Sequence, residues 1–243
     1  MNETEAGRRL SRTAASEQVV DIGWRYLLGT LSTSVAVGSM AESVQVAKAA
    51  VSACSEHAEA HLRVDLRPDR VELSLQTRTM GAVTGRDAAL ARAVTAALTG
   101  LGFRTGGSTT GELPRPVQML ELAIDAMDIV AIRPFWEAVL AYVDDPGDPG
   151  PDGGIVDPTG QLPTIWFQQM DAERLQRNRI HLDITVAHDE AADRVAAAVA
   201  AGGRLIDDSY ARSFWVLADA EGNEVCVCTW TDRDERDAAR TEP

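Results

Sequence analysis

The chain has 243 residues and a formal net charge of −14, long enough for one large domain or two small ones. The excess of acid argues against nucleic acid and anionic membranes as partners, since both repel it, and leaves small neutral or cationic molecules open. Three cysteines, a polar start without a signal-type apolar core and no apolar run of bilayer length give the expectation of a reduced, cytoplasmic protein.

Residues 1–18 are charged and aperiodic and suggest a mobile tail. A first domain is expected over 19–104. Ser39 and Glu42 form a capping box ahead of Met40, Val44, Ala47, Val51 and Cys54, which predicts an amphipathic helix with that face buried. Leu62, Val64 and Leu66 alternate with charged residues, and Val71, Leu73 and Leu75 alternate with polar ones after Pro68–Asp69, the pattern of a hairpin with one apolar face. Thr84 and Asp87 open a second helix carrying Leu90, Ala91, Val94, Leu98 and Leu101, with Gly102 where a C-cap belongs. One antiparallel sheet covered by helices is an α+β layer.

The Gly/Thr/Pro-rich stretch 105–116 divides the chain, and its glycines lack the strand–turn–helix context of a phosphate loop. A second domain is expected over 117–232, interrupted by a loop at 144–154, with a charged tail at 233–243. This domain contains a repeat: "LELAID" from Leu120 and "IHLDIT" from Ile180 are 60 residues apart. Each predicted strand leads into a helix, marked by Phe135, Trp136, Val139 and Leu140 in one copy and Val195 and Val199 in the other, and then into further strands. Paired halves of this kind enclose a cleft. The repeat puts Glu121 and His181 at equivalent places, off the apolar faces, with Asp183 beside His181. A carboxylate near an imidazole fixes its tautomer and favours its role as a base. Trp136, Trp166, Trp215 and Trp230 offer flat faces for a ligand. Cys226 and Cys228 share one strand face, without the geometry of a bridge.

Residues 24–102 resemble the pterin-4a-carbinolamine dehydratases. In "EHAEAHLRVDLRPDRV", Glu56 falls on the family's acidic position and His61 on the second histidine, while Ala60 replaces the first histidine and Leu62 the proline. In "QTRTMGAVTGRD", Arg78 stands for a third histidine and Thr79 for an Asp, and Gly81, Thr84 and Asp87 match. The resemblance implies the family's fold. It also implies a vestigial site at Glu56, His61 and Arg78, because Ala60 cannot carry a proton and Arg78 stays protonated. Appreciable dehydration of 4a-hydroxytetrahydropterin is therefore not expected.

Residues 117–232 resemble the vicinal-oxygen-chelate superfamily, in its glyoxalase-like branch, through the repeat, "FWEAVLAY" and "LADAEGNEVCVCTW". The order of the two domains is similar to a fused type met in actinobacterial proteins. Metal-dependent members hold one divalent ion through four side chains, which by resemblance fall at Glu121, Gln168, His181 and Cys226. That mixture of hard and soft donors suits no common divalent ion, so no metal and no other cofactor is expected. The whole is an α+β chain of two domains. It is expected to be a lyase- or isomerase-type enzyme of specialised metabolism that runs cofactor-free dehydration, isomerisation or cyclisation on a small molecule. Glu121 and His181 would be catalytic, and Trp166, Gln168, Asp183, Trp215 and Cys226 would contact substrate. Assembly into a homo-oligomer is compatible with this. The alternatives are a sequestering, resistance-type protein and a true pterin dehydratase.

Overall fold

The computed structural model describes residues 6–106, 117–173, 180 and 182–232. The chain divides into two compact units, Met1–Met119 and Leu120–Pro243. Both are mixed α+β, and each has a buried core of its own.

The first unit begins with α1 (Arg12–Glu17), inside the stretch whose sequence suggests a tail. Ser11 caps it by accepting from the Ala14 amide at 3.1 Å. Ala15 and Val19 are fully buried in the domain core. The preceding residues are anchored as well, since the Leu10 amide donates to the Val83 carbonyl at 2.9 Å. Two small apolar contacts and a cap suffice to order a segment too short to show periodicity.

The sheet has the order β1 (Arg25–Leu27), β2 (Thr30–Ala36), β4 (Arg70–Leu75), β3 (Leu62–Leu66), all antiparallel. Leu62↔Leu75 and Val64↔Leu73 are cross-strand pairs of the expected hairpin. The sheet packs against α2 (Met40–Cys54) and α4 (Gly85–Gly100). Both capping residues act as expected: Ser39 accepts from the Glu42 amide, and Asp87 reaches back to the Thr84 amide. After α4, Gly102 takes φ +85°, a left-handed conformation that costs glycine little.

The face of α2 differs from the sequence pattern. Ser43, Val46, Ala50 and Cys54 are buried, whereas Met40, Val44 and Val51 are about half exposed. Ser43 can face inward because its hydroxyl donates to the Arg67 carbonyl at 2.6 Å. Small residues there let the helix lie close to the sheet.

The second unit is built from two copies of one motif. The first copy comprises β5 (Glu121–Ala126), α5 (Ile129–Leu140), β6 (Val143–Asp144), β7 (Ile155–Val156) and β8 (Thr164–Gln169), in sheet order β5-β8-β7-β6. The second comprises β9 (Leu182–Thr185), α6 (Ala191–Ala200), β10 (Arg204–Asp207), β11 (Phe214–Ala218) and β12 (Glu224–Cys228), in order β9-β12-β11-β10. In each copy the first strand runs parallel to the last and antiparallel pairs fill the rest. The sequence repeat is therefore a structural repeat. One core serves both copies, joining Ile124, Phe135 and Trp136 to Ala198, Leu217 and Val227. Gly203 is required for that fit, since a Cβ there would lie 2.2 Å from the Phe135 ring.

Candidate functional site

Alternation along the strands of the second unit sorts the side chains into two faces. Leu122, Ile124, Ile165, Phe167, Leu182 and Val225 pack into the shared core. The opposite face carries Glu121, Ala123 and Asp125 on β5 and, by register, Thr164, Trp166 and Gln168 beside them. In the second copy the same face carries Asp183 and Thr185, paired with Cys226 and Cys228. Trp166 is 40% exposed there. Trp215 is different: it pairs with Val227 and packs against the core, so it stands on the side away from Trp166. His181 lies outside the described residues.

A cavity of about 380 Å³ is lined by Leu122 to Asp125, Trp136, Ile180, Leu182, Asn223 and Glu224. Its strands β5 and β9 are both terminal in their sheets. The floor is apolar, and the polar groups are two carboxylates and one amide. Buried Asp219 builds the turn that delivers Asn223 and Glu224. It accepts from the Glu221 and Asn223 amides, from the Asn223 side chain and, at 3.0 Å, from the Trp136 indole. Glu221 in turn accepts from the Met127 and Asp128 amides at 2.8 and 2.6 Å, at the entry to α5. One turn thus fixes the cavity's polar rim and its indole wall. Asp125 shares strand parity with Glu121, but only Glu121 is singled out in the sequence. Nothing in composition distinguishes the one that meets the cavity.

The metal set implied by family resemblance does not fit the residues described. Gln168 pairs with Asp125 while Glu121 pairs with Thr164. Four residues of strand separate the two levels by about 13 Å, too far to share an ion. Burial, with charge and a hydrogen bond from Asp183, pushes the Cys226 thiol up to about 12. Among the described residues no three of His, Cys, Asp and Glu gather in ligating reach.

In the first unit His61 closes α3 (Ala58–His61), and its Nδ1 lies 2.8 Å from Asp87 Oδ1. Asp87 is fully buried, and its other oxygen accepts from the Thr77 and Thr84 hydroxyls and the Thr84 amide at 2.8, 2.8 and 2.7 Å. Arg78 donates to the Leu62 carbonyl. Glu56 is 84% exposed in its side chain and lies 3.9 Å from His57, not on His61. His57 stands edge-on to His61 with ring centroids 6.0 Å apart. Of the three residues expected here, the structure thus ties His61 to a buried carboxylate and leaves Glu56 at the surface. The Asp87 contact was hidden in a motif that sequence reading had already used as a helix cap.

Comparison with known proteins agrees with this division. The family described as pterin 4 alpha carbinolamine dehydratase matches residues 5–97, and the glyoxalase-like domain family matches 121–228. No curated protein matches the chain. Solved structures similar to it include a glyoxalase/bleomycin resistance protein/dioxygenase family enzyme from Burkholderia phytofirmans PsJN, 22% identical over 45% of this chain and 95% of that one, with a TM-score of 0.38. A glyoxalase/bleomycin resistance protein from Albidiferax ferrireducens T118 is 17% identical over 45% and 95%, with a TM-score of 0.36. The fosfomycin resistance protein FosX from Mesorhizobium loti is 13% identical over 50% and 97%, with a TM-score of 0.38. The chain carries a pterin 4 alpha carbinolamine dehydratase domain followed by a glyoxalase-like domain.

Proposed function

We propose that the glyoxalase-like domain is the catalytic unit of a small-molecule enzyme, running acid–base chemistry of the lyase or isomerase type without a redox cofactor. The observation that carries this is the cavity beside β5 and β9, whose size suits a small organic ligand and whose apolar floor meets Asp125 and Glu224. A carboxylate on an apolar wall can take a proton from carbon or oxygen and return it elsewhere on the same molecule, as dehydration, isomerisation and cyclisation require. Asp125 is the base nearest this role. Glu121 and His181, at equivalent places in the repeat, are proposed as a supporting pair, with Trp166, Gln168, Asp183 and Cys226 on the same strands. The setting proposed is specialised metabolism. The test begins with metabolites captured by the full chain and identified by mass spectrometry. Asp125→Asn, Glu121→Gln and His181→Ala should then each lower turnover of the captured compound about 100- to 10,000-fold without loss of folding. Undiminished turnover in all three would refute the assignment. Tight capture with no product from the wild type would replace it with a sequestering protein.

A second reading, that the first domain acts on a pterin carbinolamine as its family's description names, is favoured by the contact of His61 with buried Asp87. A carboxylate on Nδ1 fixes the ring's orientation and tautomer and leaves Nε2 as a base. Its test is whether the full chain accelerates dehydration of 4a-hydroxytetrahydropterin.

A further inference from the structure

We infer that His57 is a second proton-handling group of the first domain and supplies the imidazole that position 60 lacks. The inference rests on the second reading above. The family resemblance implies histidines side by side at 60 and 61, and Ala60 stands in place of one of them. The structure brings another from one turn earlier. The turn Ser55–His57 runs into α3, so His57 and His61 stand four residues apart on one helical face. Their rings meet edge to face, with centroids 6.0 Å apart and planes at 86°. The His57 side chain is 32% exposed, so a molecule lying against His61 can reach it.

The two rings are held in different ways, which divides their roles. His61 Nδ1 donates to Asp87, and its Nε2 is the basic nitrogen. His57 Nε2 is 2.8 Å from Arg86 Nη1. A guanidinium has no lone pair to offer, so Arg86 donates, and His57 is a neutral ring with its proton on Nδ1. A neutral imidazole so held can offer its Nδ1–H as a hydrogen-bond donor and does not act as a base. For a carbinolamine the step balances without a co-reactant. His61 Nε2 takes the N–H proton, the C–O bond breaks as C=N forms, and the same proton leaves with the hydroxyl as water. His57 Nδ1–H donates to that hydroxyl as its charge develops.

The experiment follows dehydration of 4a-hydroxytetrahydropterin by the full chain, comparing wild type with His57→Ala, His57→Gln and His61→Ala. The wild type should accelerate the reaction, and His61→Ala should lose nearly all of the acceleration. His57→Ala should lower kcat about a hundredfold with little change in KM, and His57→Gln, which keeps an N–H donor, should recover part of it. Thermal melts of each variant separate this from unfolding. An active wild type whose His57→Ala variant is equally active overturns the role of His57 and leaves the second reading standing. An inert wild type overturns both.

Discussion

Cys226 shows how a single neighbour decides what a side chain can do. Asp183 lies beside it across β9 and β12, and burial together with that carboxylate holds its thiol near 12. Cys54 is pushed up to about 11, by burial first and by Asp87 second. A thiolate is the reactive form, so both should resist iodoacetamide at pH 8 in the folded protein and react once it is unfolded. Peptide mass mapping of the two states checks this, and rapid labelling of native Cys226 would contradict it. Asp219 is the corresponding case among acids. Replacing it by alanine strips partners from the Trp136 indole and from the Glu221 and Asn223 amides. Asp219→Ala should cost roughly 2–4 kcal/mol in urea unfolding. The sequence exposed the residue types at these points but not their pairings. His61 and Asp87 are 26 residues apart, and no local spacing links them.

At the scale of elements, the repeat was legible because a strand's alternation survives in one copy independently of the other. The orientation of α2 was not, because its buried face uses Ser43 and Ala50 while valines sit outside. Hydrophobicity alone points to the wrong stripe when a serine has a carbonyl to bond and small residues allow close packing. Val44→Gln and Val51→Gln should therefore each change stability by no more than about 0.5 kcal/mol. Val46→Ala should cost roughly 2 kcal/mol, from lost burial and the cavity left behind. Chemical denaturation of the three variants distinguishes the two orientations of the helix.

The loops of the second unit are held by charge. Buried Arg133 on α5 donates to Glu137, to Asp144 and to the Gly153 carbonyl, tying the 144–154 loop to the helix. Farther on, Asp157 accepts from Thr159, Gln161 and Leu162. Burial alone would raise this carboxyl, but those hydrogen bonds outweigh it and hold it below its usual range. A carboxyl depressed in the folded state stabilises the protein above its unfolded value, about 3.9, and that contribution is lost as pH falls through the folded value. Asp157→Asn should thus lower the Tm at neutral pH, and the gap to wild type should narrow as pH drops below about 4. A gap independent of pH would assign the effect to packing alone.

The whole molecule carries a net charge of −14, so its folded state stores self-repulsion. Between about 0.01 M and 0.15 M salt the screening length falls from about 30 Å to 8 Å. Melting temperature should rise over that range, and a flat response would mean that local ion pairs already compensate the excess.

The two copies in the second unit each complete their own sheet but share one interior. Phe135 and Ile132 of the first copy meet Ala198 and Val225 of the second in a single cluster. Among the described residues, neither half has a buried cluster of its own to collapse around. Cut into separate polypeptides spanning 117–173 and 180–232, the pieces should each be unfolded alone and recover native circular dichroism only on mixing, with a midpoint set by their concentration. The repeat is then also a joint, across which the domain should come apart and reassemble without breaking a strand pair described within either half.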